Sequence, residues 1–461
     1  MMTKKFSAFI LILFIFFTIY NGNKNNIKIY SDNINTPTIK KLLPDKGEQY
    51  IISKPDIRVS YSNINKDKLN NLKLFINYED VTKKSEISTE YIYYKPEKRL
   101  KRGVQVAKLE YYDEYTRKNI VLSEWYFSVG APLYNHYRGS FFDNTKSNSL
   151  VSNDELNSIS RFSNHMNFIS ITEKINSKNL KNKEYLNSKK YKKLIETCDK
   201  YSVNGEFISL PSFELSTKLK DERDFTKINL LDCQQPFILN NNLSLELMYK
   251  KLFYMDEDLI GQFKYNKNYN NLDFFKYSPY GDKVISLFEL EKIKVNKNEY
   301  ELDFKNYIEA LNNGWHLSPL IVDYNDKDNF NTGCEFRNVI LCEELTKENL
   351  SEALKNRRLY ASEDKNIKVD FFINKSPMGS IIEKPKMLKF IISAIDNDDK
   401  DKINKIEVYS DNNDLIESKY FNSNYAKLDF TLETVKKDTF YYVVITQNNN
   451  KKTITSPIWI E

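Results

Sequence analysis

The sequence predicts an α+β multidomain chain: a small immunoglobulin-like β-sandwich, a central distorted β/α barrel, then a second β-sandwich. Three observations predict it. Apolar and polar residues alternate through 55–130 and again through 366–461, the period of half-buried strands. Between these segments, short apolar runs take turns with longer amphipathic stretches, the pattern of strand–helix units around a largely parallel sheet. The chain has 461 residues, 14% of them aromatic, which is enough material for two or three cores.

Residues 1–25 open with Lys4 and Lys5 ahead of an unbroken apolar run from Phe6 to Tyr20. Charge followed by an apolar run is the layout of an export signal. No small-x-small cleavage motif follows, so residues 6–20 read either as a signal peptide or as a membrane anchor. Both readings place the chain outside the cytoplasm, secreted or anchored to the cell membrane. Residues 26–54 form a polar linker. The segments "PDIRVSYSN", "NLKLFINYEDVT", "TEYIYYKP", "GVQVAKLEYYDEY" and "SEWYFSVG" then supply the strands of the first sandwich, 55–130.

In the barrel segment, 134–364, "MNFISIT", "GEFISLPSFE", "IGQF" and "KVISLFELE" read as buried strands. "SKKYKKLIETCDKY", "LSLELMYKKLF" and "DFKNYIEALNNG" read as helices between them. Thr346 is placed to cap a closing helix in "TKENLSEALKNRRLYASED". From Asn366 the strand pattern returns in "IKVDFFIN", "KMLKFIISAI", "INKIEVYSD", "AKLDFTLE" and "TFYYVVITQ".

Composition narrows the function. Only 11 glycines are present, so phosphate-cradling glycine loops are not expected. A net charge of +6 is spread thinly along the chain, without the dense basic patch that nucleic-acid binding needs. Cys198, Cys233, Cys334 and Cys342 are far apart, with no CxxC pair; they read as free thiols or an unassigned disulfide. His136, His165 and His316 read as structural histidines.

Four longer stretches carry a family resemblance. They are "IGQFKYNKNYNNLDFFKYSPYGDKVISLFELE", "YIEALNNGWHLSPLIVDYNDKDNF", "NVILCEELTKENLSEALKNRRLYASEDKNIKVDFFINKSPMGSII", and "YYVVITQ" with "SPIWIE". In these stretches the chain resembles the PHP (polymerase and histidinol phosphatase) metallohydrolases, in the exported branch related to carbaryl esterase. The resemblance implies a PHP-type barrel with a metal cluster at the carboxyl ends of its strands. There, histidines and carboxylates hold metals that sharpen a water into a nucleophile.

The places of those ligands are occupied differently here. The His-x-His motif falls on Phe142 and Asn144. The Ile-Thr-Asp-His motif reads "ITEK", ending in Glu173 and Lys174. A glutamate after a strand is kept as Glu214. Lys227 and Tyr265 stand at two further histidine places. The last loop gives Tyr324 and Asp326. The resemblance therefore implies a pocket without its metal ligands. The first expectation is an exported pseudoenzyme, inactive as a hydrolase, without a cofactor, acting through an unknown small-molecule, glycan or protein ligand. In this reading Lys174, Lys227 or both neutralise Glu214; the plainer alternative leaves both lysines in water. A second expectation is a divergent esterase or phosphoesterase whose Asp143, Glu173, Glu214, Asp323 and Asp326 gather around a hard divalent cation. A third is a structural surface protein.

Overall fold

A computed structural model gives the structure. It describes residues 37–46, 48, 51–130, 133–143, 151–174, 189–219, 225–237, 239, 242–264, 276–296, 299–324, 336–398, 400–435 and 437–461, without the side chains of 218, 225, 226, 294–296, 299, 300 and 324. The apolar run 6–20, Cys334 and the places of Asn144, Tyr265 and Asp326 lie outside the described residues. Among the described residues no helix is long and apolar enough to cross a membrane. The chain divides into two units, 1–132 and 133–461, and most of its regular structure is strand.

The first unit carries β1 (Thr38–Leu43), β2 (Ile57–Ser62), β3 (Leu72–Ile76), β4 (Glu79–Asp80), β5 (Glu86–Ile87), β6 (Tyr91–Tyr94), β7 (Gly103–Asp113) and β8 (Lys118–Val129). They form two four-stranded sheets, β1-β2-β6-β5 and β4-β3-β7-β8. Both sheets feed one core, with Ile57, Val59 and Ile92 from the first and Leu74, Trp125 and Phe127 from the second. The alternation in the sequence is the cause. In β2, Ile57, Val59 and Tyr61 are buried while Arg58 between them is exposed. The sandwich expected for 55–130 is thus present in its sheets and core, but it reaches into the segment expected to be a linker, because β1 (Thr38–Leu43) pairs with β2.

The second unit begins with β9 (Asn135–Asp143), α1 (Asn153–Ser158), β10 (Phe168–Lys174), α2 (Lys189–Tyr201) and β11 (Ile208–Lys218). It continues with β12 (Phe225–Leu231), α3 (Leu245–Met255), β13 (Ile260–Phe263), α4 (Pro279–Val284) and β14 (Ile285–Glu289). The short hairpin β15 (Glu291–Asn296) and β16 (Glu299–Asp303) precedes α5 (Lys305–Asn312). Then come β17 (Ser318–Leu320), β18 (Val322–Tyr324), β19 (Arg337–Cys342), α6 (Lys347–Lys355) and β20 (Leu359–Ser362). Thr346 caps α6 as expected, its hydroxyl accepting from the Asn349 N–H at 3.1 Å.

The pairings of these strands come back on themselves. β9, β10 and β11 pair in parallel. β12 runs antiparallel to β11 and β13. β13, β14 and β17 are parallel. One residue later, β18 pairs in parallel with β9. Each strand has two apolar faces. Phe141, Phe168, Leu210, Ile260 and Leu287 pack with one another and with Leu350 and Leu354 of α6. On the opposite face Ile169, Phe213 and Phe288 pack against Leu194 of α2, Leu252 of α3 and Leu311 of α5. Strands buried on both faces read as continuous apolar runs, as these do.

The remaining strands are β21 (Lys368–Ile373), β22 (Ser376–Pro377), β23 (Ile381–Ile382), β24 (Met387–Ile395), β25 (Ile403–Ser410), β26 (Leu415–Ser423), β27 (Tyr425–Glu433), β28 (Thr439–Gln447), β29 (Lys452–Thr455) and β30 (Ile458–Ile460). Two sheets face each other across a core containing Val369, Phe390 and Ile392 from one and Ile406, Val443 and Ile445 from the other. Here too the sandwich content is present. The second of these sheets is not a separate body: its strands run on through β29, β20 and β19 to β9.

Gly139 shows why β9 begins as it does. A Cβ there would stand 2.2 Å from the Phe168 carbonyl oxygen and 2.6 Å from its ring. The opening strand can lie against β10 only with no side chain at this point. Gly139→Ala is expected to lower stability by about 1–3 kcal/mol through overpacking, read as a lower urea midpoint with an unchanged slope.

Candidate functional site

Asp143 is the last residue of β9, and alternation puts it on the same strand face as Phe141. Glu214 of β11 shares a face with Leu210 in the same way. Both carboxylates are fully buried, and one cation joins them. The Lys264 ammonium lies 2.5 Å from Asp143 Oδ2 and 2.6 Å from Glu214 Oε2, with its side chain 10% exposed. Lys264 directly follows β13, where alternation from Ile260 through Gln262 aims it at the same face.

Lys227 of β12 adds a second cation at 3.6 Å from Glu214 Oε1, and is about one-third exposed. Two carboxylates thus face two ammonium groups, and the local charge closes at zero. Burial alone pulls the Lys264 ammonium down; Asp143 and then Glu214 more than offset this, and the net shift is upward.

A row of polar groups continues from this centre. Glu214 pairs across the strands with Asn229, and Asn229 with Gln262. Glu214 Oε1, Asn229 Oδ1 and Gln262 Nε2 are buried without a hydrogen-bond partner among the described residues. Ser170 and Ser212 satisfy one another at 2.7 Å on the neighbouring strands.

The other expected site residues fall elsewhere. Phe142 points to the opposite face from Asp143 and packs in the helix-side core with Ile169 and Phe213. It fills no space beside Glu214. Glu173 also faces the helices, where Lys190 meets it at 2.5 Å and Asn153 at 3.3 Å. Asp323 of β18 is held by Lys292 at 2.7 Å and by the Ser140 hydroxyl. Tyr324 ends β18, its backbone beside Asp143. Lys174 ends β10 in register with Glu214 but is exposed, and its ammonium makes no ion pair among the described residues.

Of the lysines named for Glu214, then, Lys227 approaches it and Lys174 does not. The principal partner, Lys264, is the residue before Tyr265 in "KYN". Sequence reasoning missed it; the period-2 pattern of "IGQFK" is the signal that puts Lys264 on the face of Ile260 and Gln262.

These residues do not fit a metal ion. The Lys264 ammonium already occupies the point between Asp143 and Glu214, and Glu173 and Asp323 are paired on other faces. Among the described residues no three histidine, cysteine, aspartate or glutamate side chains gather as metal ligands. Cys198, Cys233 and Cys342 are free thiols.

Two of the three histidines, His316 and His136, are held by polar contacts within the fold. His316 donates its backbone N–H to Asp282 Oδ1 at 2.7 Å, while its ring lies 2.7 Å from Asp282 Oδ2 and 2.8 Å from Glu461 Oε1. Burial lowers its pKa, but Asp282 and then Glu461 outweigh burial and the net shift is upward. His136 Nε2 lies 3.1 Å from the Val369 carbonyl oxygen. His165 is exposed, in a left-handed backbone conformation.

No family model matches the chain. Two relatives, uncharacterized proteins of Chlamydia muridarum (strain MoPn / Nigg) and Chlamydia trachomatis serovar D, are each 30% identical over 139 residues. The match covers 26% of this chain and 22% of each relative, so the chain spans less than a quarter of their length. Among solved structures, fibronectin(III)-like modules of Clostridium thermocellum CbhA align at 7% identity over 92% of this chain and 93% of theirs, with a TM-score of 0.16. A beta-glucosidase from Listeria innocua in complex with glucose aligns at 9% identity over 21% of this chain and 16% of its own, with a TM-score of 0.15. Scores this low carry no argument about the fold.

Lys264→Met is expected to destabilise the protein by about 3–5 kcal/mol, because two buried carboxylates lose their cation. Replacing Asp143 and Glu214 by Asn and Gln in the same chain should recover part of the loss, while Lys174→Met leaves the urea midpoint unchanged. The pH dependence has a definite sign. A raised folded-state pKa means that the Lys264 contribution is complete below its ordinary value, about 10.4, and fades as pH rises through the folded value. Unfolding curves above pH 10 should therefore show the difference between the native protein and Lys264→Met shrinking.

Proposed function

We propose that the protein is an exported, non-catalytic relative of the PHP metallohydrolases, and that it acts by binding. One observation carries this reading: Lys264 sits between Asp143 and Glu214 at the carboxyl end of the strands, where the resemblance places a metal cluster. An ammonium there neutralises the carboxylates without offering a Lewis acid or a bound water of lowered pKa. The returning pairing of β9 to β18 supports a PHP-type barrel. The apolar run 6–20 supports export, as a cleaved signal or a membrane anchor.

The ligand, whether small molecule, glycan or protein, enters this proposal through the polar row beside Lys264. Asn229 Oδ1 and Gln262 Nε2, buried without a hydrogen-bond partner among the described residues, offer an acceptor and a donor to a hydroxyl-bearing or amide-bearing group.

Metal content tests the reading. Protein lacking residues 1–25, incubated in turn with zinc, manganese, magnesium and calcium and then desalted, should carry much less than one ion per chain. It should also leave generic phosphoesters and carboxyl esters uncleaved. One tightly held metal per chain, lost in Glu214→Ala, overturns the proposal in favour of a divergent hydrolase.

A further inference from the structure

His316 stands just ahead of β17, and both of its ring nitrogens face a carboxylate. Nδ1 lies 2.7 Å from Oδ2 of Asp282, in the first turn of α4. Nε2 lies 2.8 Å from Oε1 of Glu461, directly after β30. The ring is 8% exposed and packs edge-on against Trp459 of β30, with centroids 4.9 Å apart.

A carboxylate only accepts, and a neutral imidazole has one N–H and one lone pair. Two carboxylates at hydrogen-bond distance from the two nitrogens are therefore both satisfied only by the imidazolium, which donates to each. Two further titratable groups face this cluster. The Arg357 guanidinium, beyond α6, lies 5.6 Å over the Trp459 ring; burial pulls its pKa down, and Asp282 and Glu461 oppose that pull. Tyr277, with its ring 6.0 Å from Trp315, is kept protonated by burial and then by the same two carboxylates. With His316 charged, two cations meet two anions; with His316 neutral, one negative charge is left over.

The two carboxylates are not held alike. Asp282 Oδ1 also accepts the His316 backbone N–H at 2.7 Å, and its side chain is 14% exposed. The Glu461 side chain is 46% exposed, and its carboxylate makes its one hydrogen bond among the described residues to this ring. A ring that loses a proton therefore keeps Nδ1–H on Asp282 and turns a lone pair toward Glu461, whose carboxylate can turn to water at little cost. The main chain of Glu461 is tied at the same point: its N–H donates to the Ile382 carbonyl oxygen and its carbonyl accepts the Lys384 N–H, both at 3.0 Å. The ring thus bears on the place where β30 meets β23.

We propose that His316 is a proton-operated clamp on β30: as an imidazolium it ties Glu461 to α4, and as a neutral imidazole it holds Asp282 and lets Glu461 go. The clamp is independent of the Lys264 centre and of whether that centre is catalytic. Burial disfavours the charged ring, but Asp282 and then Glu461 favour it by more, so its pKa is raised. The clamp's contribution is therefore complete below the ordinary histidine value, about 6.5, and is lost as pH rises through the higher folded value.

The test uses the full-length chain in a mild non-ionic detergent. Carbon-13 at the histidine Cε1 gives one NMR signal for each histidine, assigned with His136→Gln and His165→Gln. His316 is expected to titrate above about 6.5, and Glu461→Gln to move its midpoint down. Hydrogen exchange, corrected for its intrinsic rise with pH, reads the clamp itself. Across the His316 midpoint the Glu461 and Lys384 amides should lose protection by about threefold, the scale of one partly exposed charge pair, while the Val443 amide of β28 does not. In Glu461→Gln the new amide can accept from the charged ring or donate to the neutral one, so that step should be absent. A midpoint at or below about 6.5, a midpoint that Glu461→Gln leaves in place, a native protein without the exchange step, or the same step in the variant overturns the proposal.

Discussion

The second unit is organised around one ammonium group. Lys264 ties the end of β9 to the middle of β11 from its own place after β13, so three strands that are not all neighbours share a single charge. Its two carboxylates are fully buried, and each would be costly alone. Such an arrangement specifies register as well as charge. A one-residue slip of β9 would exchange Asp143 for an apolar neighbour and turn its charge into the helix-side core. The same rule explains the other pairs. Two further buried carboxylates near strand ends are met by a lysine from another element: Glu173 by Lys190 and Asp323 by Lys292.

The lysines reach these positions because the backbone around them is tightly set. Gly139 lets β9 approach β10. Asn338 accepts the Ile321 N–H at 2.8 Å and donates to its carbonyl oxygen at 2.7 Å, satisfying the one residue that interrupts β17 and β18. With that residue held, β18 can return to β9 and present Asp323 to Lys292. In the polar row beside Lys264, Asn229 Oδ1 and Gln262 Nε2 have no hydrogen-bond partner among the described residues. Buried polar atoms without a partner are an unmet hydrogen-bonding demand.

Much of this was legible in the sequence. Period-2 alternation in "IRVSYS" and "KVDFFI" located half-buried strands, and Thr346 marked the start of its helix. Glu214 was read as a buried carboxylate in need of a cation, and Lys227 as one candidate. What stayed hidden was geometry that alternation alone cannot carry across strands. "NVILC" and "LYAS" are buried on both faces, so their residues do not say that they join one sandwich sheet to the returning strands. Lys264 is one residue from a place chosen by resemblance, and its role appears only when β13 is set in register with β12. Phe142 looked like a ligand place because the motif was read along the chain; the pleat turns it toward the helices. Lys174 carries the right charge in the right register but remains in solvent, which no spacing rule distinguishes from Lys227.

The returning strand and the shared sheet also bear on how the chain reaches its structure. Ser140 and Asp323 are 183 residues apart in sequence, and Ser318 meets Ser456 across 138 residues. Contacts of that span close large loops before any reward arrives, so they form late. β20 pairs with β29, close to the end of the sequence. While the chain is being made, β20 therefore waits with an open edge until its partner has left the ribosome, and β9 waits for β18. During that interval the growing protein exposes unpaired strand edges, the kind of surface that holding chaperones protect. The continuity that makes the finished second unit a single body thus leaves its synthesis the stage at which it is most open to misassembly.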